Sequence, residues 1–119
     1  MSSGSFVEFL QEQLTLLGRV TVRRMFGSIG VFRDGLMFGI VADDTFYIRV
    51  DDRSLTTLGQ AVSTPPFRYR RQGRIIDLPY RQVPEWLLDE PEELAVWARA
   101  ALDAARRAAS GNKRRKPVR

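Results

Sequence analysis

Residues 23–50, RRMFGSIGVFRDGLMFGIVADDTFYIRV, decide the fold. The stretch reads as three short strands joined by tight turns. Asp34-Gly35 separates VFR from LMFGIV, and Asp-Gly suits a two-residue type I′ hairpin, whose turn positions both need positive φ. Asp43-Asp44 separates LMFGIV from FYIRV, a weaker turn signal in the right place. In the last strand Phe46, Ile48 and Val50 alternate with Tyr47 and Arg49, the period of a half-buried strand. The middle strand is apolar on both faces, as expected of a central strand.

Before the meander, residues 19–26 lead in, at most as a short strand, with Gly27 and Gly30 bracketing a bend or bulge. Upstream, Ser5-Phe6-Val7-Glu8 fits a capping box with Ser5 as N-cap. Phe6, Phe9, Leu10, Leu14 and Leu17 follow at helical spacing and Gly18 stands where a C-terminal cap belongs. This predicts an amphipathic helix lying on the sheet.

After the meander, Asp51-Asp52 offers an N-cap for a helix over residues 52–62, carrying Leu55, Leu58 and Val62 inward and weakened by Gly59. Thr64-Pro65-Pro66 is a rigid connector. Phe67-Arg68-Tyr69-Arg70-Arg71 alternates again, and Gln72-Gly73 turns it into RIIDLPYRQV, a second hairpin. Pro79 places its last strand at an edge or at a bulge. Pro84 to Leu88 reads as one helical turn. Pro91 and the acids Glu90, Glu92 and Glu93 then suit the start of a third helix. Leu94, Trp97, Ala98, Ala101, Leu102 and Ala105 mark its buried stripe, and Arg106-Arg107 suit its end. From Ser110 the run SGNKRRKPVR has no apolar period and is expected to be disordered.

The order α-β-β-β-α-β-β-α, with short strands and tight turns, predicts a two-layer α+β fold. It would have an antiparallel five-stranded sheet with its helices packed on one face. The domain is expected over residues 1–109 and a basic tail over 110–119. One face of the sheet is left for solvent or a partner.

Composition removes whole classes of function. The 119 residues include no cysteine and no histidine. Disulfides, thiolate nucleophiles, the commonest general base and the commonest zinc ligands go with them. No apolar run approaches the ~18 residues of a membrane span. The N-terminus lacks the pattern of a signal peptide, so the expected location is the cytoplasm. The formal charge of +5 is unevenly spread. Arg106, Arg107, Lys113, Arg114, Arg115, Lys116 and Arg119 follow the last acid, Asp103, leaving 12 basic against 14 acidic residues in positions 1–105. The body is nearly neutral and the basicity is terminal.

These residues, taken together, resemble the N-terminal domain of the TfoX/Sxy competence-regulator family. The carriers are Arg23-Arg24-Met25-Phe26-Gly27, the Asp34-Gly35 turn, Phe38, the FYIRV strand ending in Asp51, and Pro66-Phe67-Arg68-Tyr69. Tyr80 with Pro84 after it, and Trp97 in an alanine-rich last helix, complete a set spanning residues 6–105. The resemblance implies the same α+β arrangement, a link to transcriptional control of natural DNA uptake, and no catalytic residues. Full-length members look like two-domain proteins, and here the basic tail is expected to stand in place of the second domain.

Candidate sites are few. Arg23-Arg24 reads as a basic contact for an anionic partner or, more commonly, as arginines paired with carboxylates such as Asp51. Arg68, Arg70, Arg71 and Arg74 make the second hairpin a candidate nucleic-acid surface, since a two-stranded ribbon can enter a major groove. The alternative is a solvated strand face. Phe67 and Tyr69 fall opposite Arg68 and Arg70 by alternation, which assigns them to the core rather than to base stacking. Lys113, Arg114, Arg115 and Lys116 form a basic arm suited to salt-sensitive binding of nucleic acid without sequence preference, or to solubility alone. The family residues Met25, Phe26, Gly27, Asp34, Gly35, Tyr80 and Trp97 read as structural. Carboxylate pairs are explained as turns and caps, so no metal site, cofactor or catalytic group is expected. The leading expectation is a non-enzymatic regulatory or adaptor domain that binds a protein or a second copy of itself. A nucleic-acid-binding protein is the alternative.

Overall fold

The computed structural model describes residues 4–25, 27–59 and 64–114. Its elements are α1 (Gly4–Gln13), a 3-10 turn (Thr15–Leu17), β1 (Thr21–Met25), β2 (Ser28–Arg33), β3 (Leu36–Ala42) and β4 (Thr45–Arg49). There follow α2 (Asp52–Leu58), β5 (Pro66–Arg71), β6 (Arg74–Gln82), a second 3-10 turn (Glu85–Asp89) and α3 (Pro91–Arg114). The strands form one antiparallel sheet in the order β1-β2-β3-β4-β6-β5.

The sheet thus has six strands rather than five. The addition is β1, which turns back onto β2 at Gly27 and pairs with it from Thr21 opposite Phe32 to Met25 opposite Ser28. Its sequence TVRRM hides it, because at an edge only Val22 faces the core and the alternation has nothing to repeat. Gly30 lies within β2 and marks no bend.

The turns follow their chemistry. Asp34 and Gly35 have φ of 53° and 79°, Asp43 and Asp44 52° and 53°, and Gln72 and Gly73 53° and 78°. These three hairpins therefore carry positive φ at both turn positions, the twist that a two-residue connection needs.

The helices cover one face. Leu10, Leu14 and Leu17 meet Leu94, Trp97, Ala98, Ala101, Leu102 and Ala105 of α3 over Val31, Phe38, Val41, Phe46, Ile48 and Val50 of the sheet. A bulge in β3 shapes this layer. Val31 pairs with Gly39 while Phe32 pairs with Met37, so Phe38 is the extra residue and its ring enters the core. Gly39 beside it makes room for Phe46, whose Cε1 would lie 2.6 Å from an added Cβ.

The helix ends differ in detail from the sequence reading. Helix α1 already includes Gly4, so Ser5 lies in its first turn rather than at its cap. Helix α2 stops at Gly59, with φ 65°, and Val62 lies outside the described residues. Helix α3 runs on through Arg114, past the Ser110 boundary, as an established helix adds residues at little cost. Pro79 sits at a bulge: Phe67 pairs with Leu78 and Pro66 with Arg81, leaving Pro79 and Tyr80 without opposite partners on β5.

Candidate functional site: the open face of the sheet

Register assigns the second face. Gly30 opposes Ile40, which opposes Tyr47, while Arg49 opposes Tyr80. The same side holds Thr21, Arg23 and Met25 of β1 and Phe32 and Met37 of β2 and β3. The residues that line its cavity all lie on strands.

Phe67 and Tyr69 belong to this face, which corrects their assignment to the core. Phe67 pairs with Leu78 and Tyr69 with Ile76, and all four line a cavity of about 290 Å³ with Met25, Ser28, Met37, Ile40 and Arg71. The reason is that alternation shows which residues share a face, not which face it is. The Phe67 ring meets the Tyr47 ring edge-on, with centroids 4.8 Å apart and planes at 70°. This contact ties the second hairpin to the middle of the sheet.

The cavity also reveals the curvature. Met25 is on one edge strand and Tyr69 on the other. In a flat sheet of this size the edges would stand about 24 Å apart. Lining one cavity of 290 Å³ requires the sheet to curl, so that β5 and β6 arch over the face of β1 to β3. Beneath the arch, side chains close over Gly30. A Cβ there would lie 2.7 Å from Met25 Sδ, 2.8 Å from Phe32 Cε1 and 2.9 Å from Met37 Sδ.

The arginines of the hairpin do not gather on one side. Arg71 and Arg74 oppose each other at its tip, on the cavity side. Arg68 and Arg70 point the other way, and Arg68 Nε donates to Asp77 Oδ1 at 3.0 Å. That outer side is also exposed, with Ile75 61% accessible, since no helix extends beneath the arch. Lys113 and Arg114 lie at the end of α3, and Arg115 and Lys116 lie outside the described residues, as does Phe26.

Arg23 and Arg24 do not pair with Asp51. Arg23 lies over the Phe32 ring, 4.8 Å from its centroid. Asp51 is taken by Arg107, a residue whose place in the sequence suggests only the end of a helix. Arg49, at the end of β4, lies 5.7 Å from the Tyr80 ring centroid, and its Nε is buried without a hydrogen-bond partner. Burial pushes the Tyr80 hydroxyl above its ordinary value, with Arg49 pulling it down in part. Of the remaining family residues, Gly27, Asp34 and Gly35 form turns and Trp97 is buried in the helical layer.

A second, wider depression of about 450 Å³ lies between α1 and the second 3-10 turn, lined by Phe6, Phe9, Glu85, Trp86, Leu88 and Asp89. No cluster of three or more acids able to hold a metal ion occurs among the described residues. No helix among them is long and apolar enough to cross a membrane.

The sequence has known relatives. The TfoX N-terminal domain matches residues 12–105. The chain belongs to that family. The TfoX-type domain here is 33% identical over 97 residues to Protein Sxy of Escherichia coli (strain K12). The alignment covers 80% of this chain and 45% of that protein, so the chain spans about half the length of its relative. The matched segment starts within α1 and ends at Ala105, and so contains every strand of the curled sheet.

Proposed function

We propose that this TfoX-type domain is a non-enzymatic regulatory adaptor that works in the cytoplasm by binding another protein on the open face of its sheet. The observation that supports this is the apolar cavity under the arch. Met25, Met37, Ile40, Phe67, Tyr69, Ile76 and Leu78 line it and no helix covers it. An uncovered apolar concavity of this kind is how a small domain presents itself to a partner. The family's link to transcriptional control of natural DNA uptake gives the setting, with the domain acting on a component of the transcription apparatus. Catalysis has little to work with: the cavity's ionisable side chains are Tyr69 and Arg71, its one other hydroxyl is that of Ser28, which donates to the Met25 carbonyl at 3.1 Å, and no carboxylate lines it to act as a base.

The second reading, nucleic-acid binding, rests on Arg71 and Arg74 at the hairpin tip and on the basic run after Asp103. Fluorescence anisotropy with a labelled random DNA duplex across a salt series separates the two. The full chain is compared with a Gln substitution of Lys113, Arg114, Arg115 and Lys116 and with one of Arg70, Arg71 and Arg74. Under the adaptor reading, duplex binding is weak, lost with the terminal charges and unchanged by the hairpin variant. The logarithmic salt slope falls by about 0.9 for each phosphate contact removed. Sequence-dependent binding that survives moderate salt and is lost in the hairpin variant would overturn the adaptor reading.

A further inference from the structure

The open face has a charge as well as a shape. Arg23, Arg49, Arg71 and Arg74 all project on this side by register, and no strand position there holds Asp or Glu. This is unexpected in a body whose residues 1–105 carry more acids than bases. Most acids lie elsewhere, Asp77 on the outer side of the hairpin and Glu85, Asp89, Glu90, Glu92 and Glu93 around the start of α3, while Asp43, in the turn between β3 and β4, acts on Tyr47 at the rim of the face. Arg49 also keeps a buried Nε with no partner, at the end of β4.

The geometry points to an acidic amphipathic segment of a partner protein as the occupant of the groove, an inference that rests on the adaptor reading above. Its apolar side chains enter between Met37 and Ile76, and its carboxylates meet Arg71 and Arg74 on one side and Arg23 on the other. The lining suits aliphatic side chains. Met25 and Met37 are flexible and polarisable, and their sulfurs close over Gly30, so the floor adapts to what enters. A nucleic-acid strand fits less well, because Phe67 already meets Tyr47 edge-on, which leaves Tyr69 as the one other aromatic lining the cavity and makes no run of stacking platforms. A second copy of the domain would bring arginines against arginines. Helix-in-groove recognition, with apolar anchors on one helical face and charges beside them, supplies the required pattern.

The test uses the full chain labelled with nitrogen-15 and a 16-residue probe peptide with leucine at i, i+3, i+4 and i+7 and glutamate on the flanks. A peptide of the same pattern with lysine replacing glutamate is the control, together with a single-stranded oligonucleotide. The expected result is saturable shifts of amides in β1, β3, β5 and β6 with the glutamate peptide alone. Binding should weaken at least tenfold in Arg71→Glu/Arg74→Glu and on raising salt, with the amide spectrum otherwise unchanged. Gly30→Ala, which displaces both methionine sulfurs, should weaken it without charge change. Equal binding of both peptides, binding of neither, displacement by the oligonucleotide, or concentration-dependent shifts of the free chain would each overturn the proposal. If neither peptide binds while a protein still cross-links to the open face in cells, this inference fails and the adaptor reading stands.

Discussion

The Arg107 guanidinium grips the Asp51 carboxylate at two points, Nε to Oδ2 at 2.8 Å and Nη2 to Oδ1 at 2.9 Å. The same carboxylate accepts from Ser54 N at 2.8 Å, while Asp51 N donates to Ser54 Oγ at 2.9 Å. One side chain therefore caps α2 where β4 ends and fastens the far half of α3 to both. Removing the guanidinium leaves the cap intact. Arg107→Ala is expected to cost about 1 kcal/mol, since the pair is two-pronged but a third exposed. Asp51→Ala loses the cap too and should cost about 2 kcal/mol. Urea unfolding of both variants and of the double variant checks this, and the double should cost less than the sum.

The same contact sets an acid limit. The hydrogen bonds from Arg107 lower the Asp51 carboxyl from 3.8 to about 2, against a partial opposing effect of burial. A depressed folded value means that the stabilisation is complete above the unfolded value, near 4, and is lost as pH falls toward 2. Denaturation midpoints between pH 5 and 2 should fall for the wild-type chain. In Asp51→Asn, which starts lower, that part of the slope should be absent.

Gly39 leaves no room in the core for a side chain. An added Cβ would lie 2.6 Å from Phe46 Cε1 and 3.2 Å from the Tyr47 carbonyl oxygen, so both a ring and a backbone would have to move. Gly39→Val should destabilise the fold by about 1–3 kcal/mol, the usual range for overpacking. Thermal unfolding measures it directly.

The arch depends on the edge-on contact of Phe67 with Tyr47. Such ring pairs contribute about 0.5–1.5 kcal/mol beyond their buried area. Phe67→Leu should therefore speed hydrogen exchange in β5 and in β6 before Pro79, where β5 is its sole partner strand. Exchange in β1 to β4 should stay as it was.

What the sequence disclosed was local. The Asp34-Gly35 turn and the stripe from Leu94 to Ala105 lie within one turn or one helix, and both formed as their residues dictate. The site was harder to see because it is made by curvature. Phe67 and Tyr69 announce that they share a face, but Ile75-Ile76 is apolar on both sides and erases the sign of the alternation in β6. Only the pairing of Tyr80 with Arg49, after the Pro79 bulge, fixes which way the hairpin looks. The Asp51–Arg107 pair spans 56 positions and carries no local pattern at all. The edge strand β1 was faint because a single inward residue, Val22, makes no period.

The most direct measurement is site-specific photocross-linking in cells. The photoreactive residue is placed at Tyr69, on the open face, and in a parallel strain at Val96, exposed on the outer side of α3. A discrete protein adduct is expected from Tyr69, none from Val96, and loss of the adduct when Met37→Glu charges the groove. Adducts from Val96 alone, or nucleic acid in place of protein at Tyr69, would contradict the adaptor reading.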